Sequence, residues 1–301
     1  MSIAIKKWVY LILLSLIWGS SYILIKKGLT GLTPLELGSI RILMTTTILF
    51  LFGWKHLQQI PKDAWKWIAI TGYFGTFFPS YLFAFAETAI DSAVAAVLNG
   101  MTPLFTLILG VLFFNSPFKW LKIFGVLVGF GGTLVLVSNE FTLNNGAESW
   151  YAFLVIAATL CYSINVNLIK YKLQGISALA IALGNFICIC IPALIILLLS
   201  NFSFEQALNS SAVTTSLGYI LILSLFGTAL AKVMFNELVA ISTPVFSISI
   251  TYLLPIVAIG WGILDGEKFS LLQWLGCALI LLGVYLITDK KRLKNKSNNE
   301  S

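Results

Sequence analysis

The sequence predicts an all-α polytopic membrane protein, with ten transmembrane helices arranged as two inverted five-helix repeats. Three observations carry this expectation. The 301-residue chain is 58% hydrophobic and 10% charged, whereas a soluble domain holds about 45–50% apolar and about 25% charged residues. Its apolar runs fall into ten windows of about 20 residues, the length that crosses a bilayer. The two halves also match in register at shifts of 144 to 152 residues.

The windows lie near 8–26, 34–53, 65–87, 91–113, 120–138, 150–169, 177–199, 214–236, 244–264 and 270–288. Lys6 and Lys7 before the first run imitate a signal peptide, but the run continues to Lys26 without an A-x-A-like site and reads as a retained span. An even number of spans leaves both termini on one side. Alternate connections then gather fourteen of the nineteen basic residues on that side, against Lys26, Lys27 and Lys268 on the other, with Arg41 and Lys232 inside spans. This bias predicts cytoplasmic termini and a plasma-membrane protein. Residues 290–301 read as a basic, disordered cytoplasmic tail. The net charge of +7 sits between apolar runs instead of on one solvated face, so nucleic acid is not an expected partner.

The repeats are read as 1–143 and 144–289. A shift of 144 sets Leu24, Ile25, Lys26 and Gly31 on Leu168, Ile169, Lys170 and Gly175. A shift of 152 sets FGT at 74–76 on FGT at 226–228, Pro103 on Pro255 and Gly110 on Gly262; at 151, Gly125 and Gly132 meet Gly276 and Gly283. Five spans is an odd number, so the second copy crosses in the opposite sense. Inverted repeats mark alternating-access transporters, with the solute near the midplane between them.

Cys161, Cys188, Cys190 and Cys277 fall in apolar segments, and His56 is the only histidine. Neither disulfides nor a metal site is expected, and no cofactor is implied.

Polar residues inside spans are the candidate site. The fourth span aligns Ser92, Ala95, Asn99, Thr102 and Thr106 along one face; the ninth offers Ser247, Thr251 and Pro255, with Tyr252 beside them. Such stripes serve either as helix contacts or as cavity lining. Pro103 and Pro255, at matched mid-span positions, each remove a backbone hydrogen bond and are candidate bending points. In the first and sixth spans Trp18 pairs with Tyr162 and Ser21 with Asn165; together with Tyr81 these aromatics either fill the bundle or stack on an organic solute. The fifth and tenth spans carry glycines at packing distance and little polarity, and read as peripheral struts or a homodimer surface.

Arg41 demands its own account, because an arginine inside a bilayer costs from ~3 to ~17 kcal/mol unless paired or hydrated. Glu36 is five residues away, about 140° around the helix, and a poor partner. Glu87, closing the third span, is the expected partner, as a structural ion pair or as a proton-coupling site.

WGSSYILIKKGL and PLELGSIRIL, followed by YLLPIVAIGWGILDGEKFSLLQWLGCALILLGVYL, resemble EamA-type members of the drug/metabolite transporter superfamily over nearly the whole chain. The resemblance implies ten helices around a central cavity and export of small metabolites or amino acids. Its motif positions here are Trp18, Gly19, Lys26, Pro34, Arg41, Pro103, Pro255, Gly266 and Glu267. The first repeat departs from the pattern, with Asn115 and Ser116 where a Gly-Glu-like pair would recur. Lys232 is a second departure, expected to snorkel to the cytoplasmic surface.

No GxxxxGK[ST] loop is present to supply nucleotide hydrolysis, and HExxH, GxSxG and paired mid-depth carboxylates are missing for intramembrane catalysis. The leading function is secondary transport of an uncharged or zwitterionic organic solute, with a proton as candidate coupling ion. A passive facilitator is the alternative.

Overall fold

A computed structural model of the chain describes residues 2–90, 92–117, 119–137, 146–200, 202–203, 209–264 and 270–287. Gly266, Glu267, Lys268 and the tail at 290–301 lie outside the described residues. Among the described residues the protein is helical, with no strand.

Seven helices are long and apolar enough to cross a membrane: Ile3–Gly28, Pro34–Gln59, Lys62–Ala86, Ala95–Phe114, Trp150–Lys172, Ala178–Leu199 and Ser211–Ile241. Three shorter apolar helices, Trp120–Val135, Pro244–Val257 and Trp274–Ile287, occupy the fifth, ninth and tenth windows. These ten segments are numbered below as spans one to ten.

Local sequence sets where the spans start. Thr33 and Glu36 form a reciprocal capping box ahead of the second span, with Pro34 at its first turn, so Glu36 is spent on the helix terminus. Ser177, Ser210 and Thr243 cap the seventh, eighth and ninth spans through their hydroxyls. Gly175, at φ +82°, makes the turn between the sixth and seventh spans, a conformation that glycine adopts without strain.

Four spans change helix type or are interrupted part-way along. The third passes through a π-helical turn at Tyr73–Phe77, and the eighth through one at Leu223–Leu230. Each contains one of the two FGT segments. The fourth is interrupted between Ser92–Asn99 and Thr102–Phe114, and the ninth at Ser249. Pro103 lies just past the first interruption, and the Asn99 carbonyl it cannot serve accepts from Thr102 Oγ1 at 2.6 Å.

The fifth and tenth spans pack against each other, glycine against glycine. A Cβ on Gly283 would stand 2.5 Å from Gly129 N, and one on Gly132 would stand 2.7 Å from Ile280 N. The glycine faces that suggested a homodimer surface are therefore occupied inside the chain. Outward, Trp120, Phe124, Leu271 and Trp274 are exposed, as are Phe52, Phe113 and Leu199 elsewhere, an apolar exterior suited to lipid.

Candidate solute cavity

Where the straight spans leave off, a cavity of about 110 Å³ opens in the centre of the bundle. It is walled by spans one, two, three and four from the first half and six, eight and nine from the second; among the described residues, spans five, seven and ten do not line it.

The two π turns each build part of the wall. A π turn shifts hydrogen bonding from i+4 to i+5, so a carbonyl loses its regular donor and can accept from elsewhere. Gly75 O accepts from Lys232 Nζ at 3.1 Å, and Gly227 O accepts from Trp18 Nε1 at 2.9 Å. The carbonyl of each FGT glycine is thus held by a side chain from the other half of the chain. Gly75, Thr76, Gly227 and Thr228 all face the cavity.

Arg41 reaches the same space. Its Nε donates to Thr228 Oγ1 at 2.8 Å, and Thr228 in turn donates to Leu223 O at 3.0 Å. Ser224 Oγ donates to the Arg41 carbonyl, so the second and eighth spans are stitched at one level. The expected ion pair with Glu87 is not made: Glu87 is buried, but no Arg41–carboxylate contact within 4.0 Å occurs among the described residues. The reason is geometric. The π turn of the eighth span brings Thr228 to the guanidinium, a donor-acceptor pairing that counting residues from helix ends does not foresee.

Lys232 is a larger correction. It was expected at the surface, yet it is only 6% exposed and lines the cavity. The extra residue of the π turn rotates the following helix and carries Lys232 inward to Gly75.

Among the other sequence candidates, Trp18, Ser21, Asn99, Tyr162, Asn165 and Thr251 line the cavity. Asn99 Nδ2 donates to Tyr22 OH at 3.1 Å, and Tyr162 stacks on Phe83 with centroids 6.1 Å apart. Asn165 Oδ1 is buried with no hydrogen-bond partner. Tyr81, Pro103, Tyr252 and Pro255 stand outside the lining. Tyr81 shares a hydrogen bond with Ser39 at 2.9 Å, and fully buried Tyr252 donates to Val126 O at 2.9 Å, so both hydroxyls serve helix contacts. Sequence reasoning did not single out Tyr22 and Ser80, and took Thr76, Thr228, Phe83 and Phe235 only as matched repeat positions at the shift of 152, not as lining residues.

Toward the end of the bundle that holds the N-terminus, side-chain contacts tie the spans together. Trp18 packs on Phe235 with centroids 5.3 Å apart, and Trp8 meets Phe246 edge-on at 5.6 Å. Lys6 is ion-paired with Glu237, which also accepts from Tyr10 OH at 2.7 Å. Lys170 Nζ donates to the carbonyls of Val239 and Ala240, both at 3.0 Å, tying the sixth span to the end of the eighth. Among the described residues no group of His, Cys, Asp and Glu is placed to hold a metal ion.

The model of the EamA-like transporter family matches residues 6–138 and again 149–289. The chain belongs to the EamA-like transporter family. Its curated relatives include a transporter of Archaeoglobus fulgidus, 26% identical over 95% of this chain and 100% of its own length. YedA, an inner membrane transporter of Escherichia coli K12, is 27% identical over 93% of this chain and 90% of itself. A probable amino-acid metabolite efflux pump of Salmonella typhimurium is 23% identical over 91% and 92%. A solved crystal structure superposes with a TM-score of 0.73 at 14% identity, covering 93% of this chain and 95% of that one, a likeness of fold. This EamA protein is a multi-pass membrane transporter, and its family points away from an enzyme.

Proposed function

We propose that this transporter exports small metabolites or amino acids across the plasma membrane by alternating access, with the central cavity as the solute site and both termini in the cytoplasm. The observation that carries this is the cross-held pair of FGT π turns, one from each half, facing one cavity. Walls of that kind can exchange roles if the halves are inverted copies and one bundle rocks against the other. The separate family match to each half supports the duplication, and the odd number of windows per half supports the inversion. The contacts of Lys6 and Tyr10 with Glu237 join spans one and eight, one from each half, at the end assigned to the cytoplasm. Export is favoured by the relatives named as amino-acid metabolite efflux pumps.

Two measurements test the reading. In inside-out vesicles, a transported solute should accumulate against its gradient and an uncoupler should abolish the accumulation; movement only down the gradient would make the protein a facilitator. In a cysteine-free background, a cysteine at Asn209 should react with an impermeant thiol reagent from outside and one at Gln58 should not. The opposite pattern would overturn the orientation and the inversion with it.

A further inference from the structure

Arg41 and the buried Lys232 meet at one cavity, and among the described residues no acid lines it. Arg41 and Lys232 share the wall, and every other lining side chain is neutral. Like charges around a low-dielectric space repel and forfeit hydration, so the empty site favours a solute that brings negative charge. Glu87 is the buried acid among the described residues, and one acid against these two cations still leaves a positive surplus.

The arrangement of donors narrows the anion. Thr228 holds Arg41 Nε and so fixes the plane of the guanidinium, while the two terminal nitrogens have no hydrogen-bond partner among the described residues. That free fork matches the two oxygens of a carboxylate. Lys232 spends one donor on Gly75 O and has others to give. Next to it stands Asn165 Oδ1, buried and without a partner; both groups crowd the position a Cβ on Gly75 would take. An unfilled acceptor beside Lys232, in the cavity that Arg41 also lines, suits a hydroxyl or ammonium donor attached close to the carboxylate.

We propose, on the reading that this cavity carries the solute, that the group it recognises is a carboxylate with an α-donor, gripped by the Arg41 fork and Lys232 while Asn165 accepts from the α-substituent. Trp18, Phe83 and Tyr162 face the apolar body of the solute. Of the uncharged or zwitterionic solutes that the sequence suggests, this keeps the zwitterionic ones, leaves out the uncharged ones and adds 2-hydroxy acids. The same chemistry occurs in 2-hydroxy acids and in α-amino acids.

The test uses the full chain in lipid nanodiscs and four matched pairs: lactate, 2-hydroxyisocaproate, alanine and leucine, each against its neutral amide. Calorimetric titration should show at least one acid binding about tenfold or more tighter than its amide. Lys232→Met and Arg41→Gln should each raise the Kd of that acid about 10- to 100-fold and leave the amide nearly unchanged, the loss expected for a charge-assisted hydrogen bond. Methionine keeps the length of Lys232 without its charge, so this variant should elute as a single species and melt no lower than the parent. Which pairs respond separates hydroxy acids from amino acids. Amides binding as tightly as acids, a Lys232→Met variant that keeps the acid preference, or no acid binding at all would overturn the carboxylate assignment. Counterflow in proteoliposomes keeps the two ideas apart. Solutes that move without acid preference leave the transporter reading standing and sink only the carboxylate; a mixed pool of metabolites that does not move at all counts against the transporter reading.

Discussion

Gly283→Ala should weaken the protein, and the neighbouring substitution Gly131→Ala should not. Both replace a glycine within a span, so each gains about 1 kcal/mol of helix propensity. They differ in what the new methyl group meets. At Gly283 it would lie 2.5 Å from Gly129 N, 2.6 Å from Gly129 Cα and 2.7 Å from Gly125 O, all backbone atoms of the fifth span. Ordinary contact begins near 3.4 Å. The tenth span must therefore retreat by about 0.9 Å, the difference between those distances, and no side chain can swing away to spare it. Overpacking of this kind costs about 1–3 kcal/mol, and separating the two spans also thins the contacts at Gly125 and Gly132. The net expectation is a loss of about 1–2 kcal/mol. At Gly131 nothing stands within 4 Å, and the propensity gain survives. Melting of the purified protein in detergent, followed by fluorescence-detected size exclusion, should rank Gly131→Ala at or above the parent and Gly283→Ala several degrees below. If Gly283→Ala melts with or above the parent, the fifth and tenth spans do not approach through glycine and the packing argument fails.

Gly75→Ala should spare the fold and impair the site: the new Cβ would press on the Asn165 amide and on Lys232 Nζ at 2.7 Å, both ends of side chains that can give way. Solute affinity should fall about tenfold in nanodisc titrations with little change in melting temperature; unchanged affinity would place the solute elsewhere. Tyr252→Phe should do the reverse, since it removes the buried hydrogen bond to Val126 O. A loss of about 0.5–1.5 kcal/mol of stability with transport retained is expected, and lost transport in a normally folded variant would return Tyr252 to the solute path.

How much of the site was legible depended on what each residue needed. Trp18, Asn99, Tyr162 and Asn165 were found because a polar or amphipathic side chain at mid-span has few uses outside an interior. The same logic over-reached for Tyr81 and Tyr252, whose hydroxyls are satisfied at helix contacts. Nothing in one span's residues distinguishes those two uses, because the partner that decides between them lies on another span.

The sequence by itself determined that the chain is helical, crosses the membrane repeatedly and keeps the fifth and tenth spans away from the polar centre. Each of these follows from local chemistry: apolar length against bilayer thickness, and glycines that let helices touch. Only the tertiary structure decided that Arg41 meets Thr228, that Lys232 turns inward, and that the carbonyl of each FGT glycine accepts from the opposite half. Those outcomes hang on the rotation of each helix about its axis. A residue advances about 100° around an α-helix, so one extra residue in a π turn redirects everything after it, and in spans that are apolar on nearly every side the sequence offers no periodic stripe from which to read that rotation.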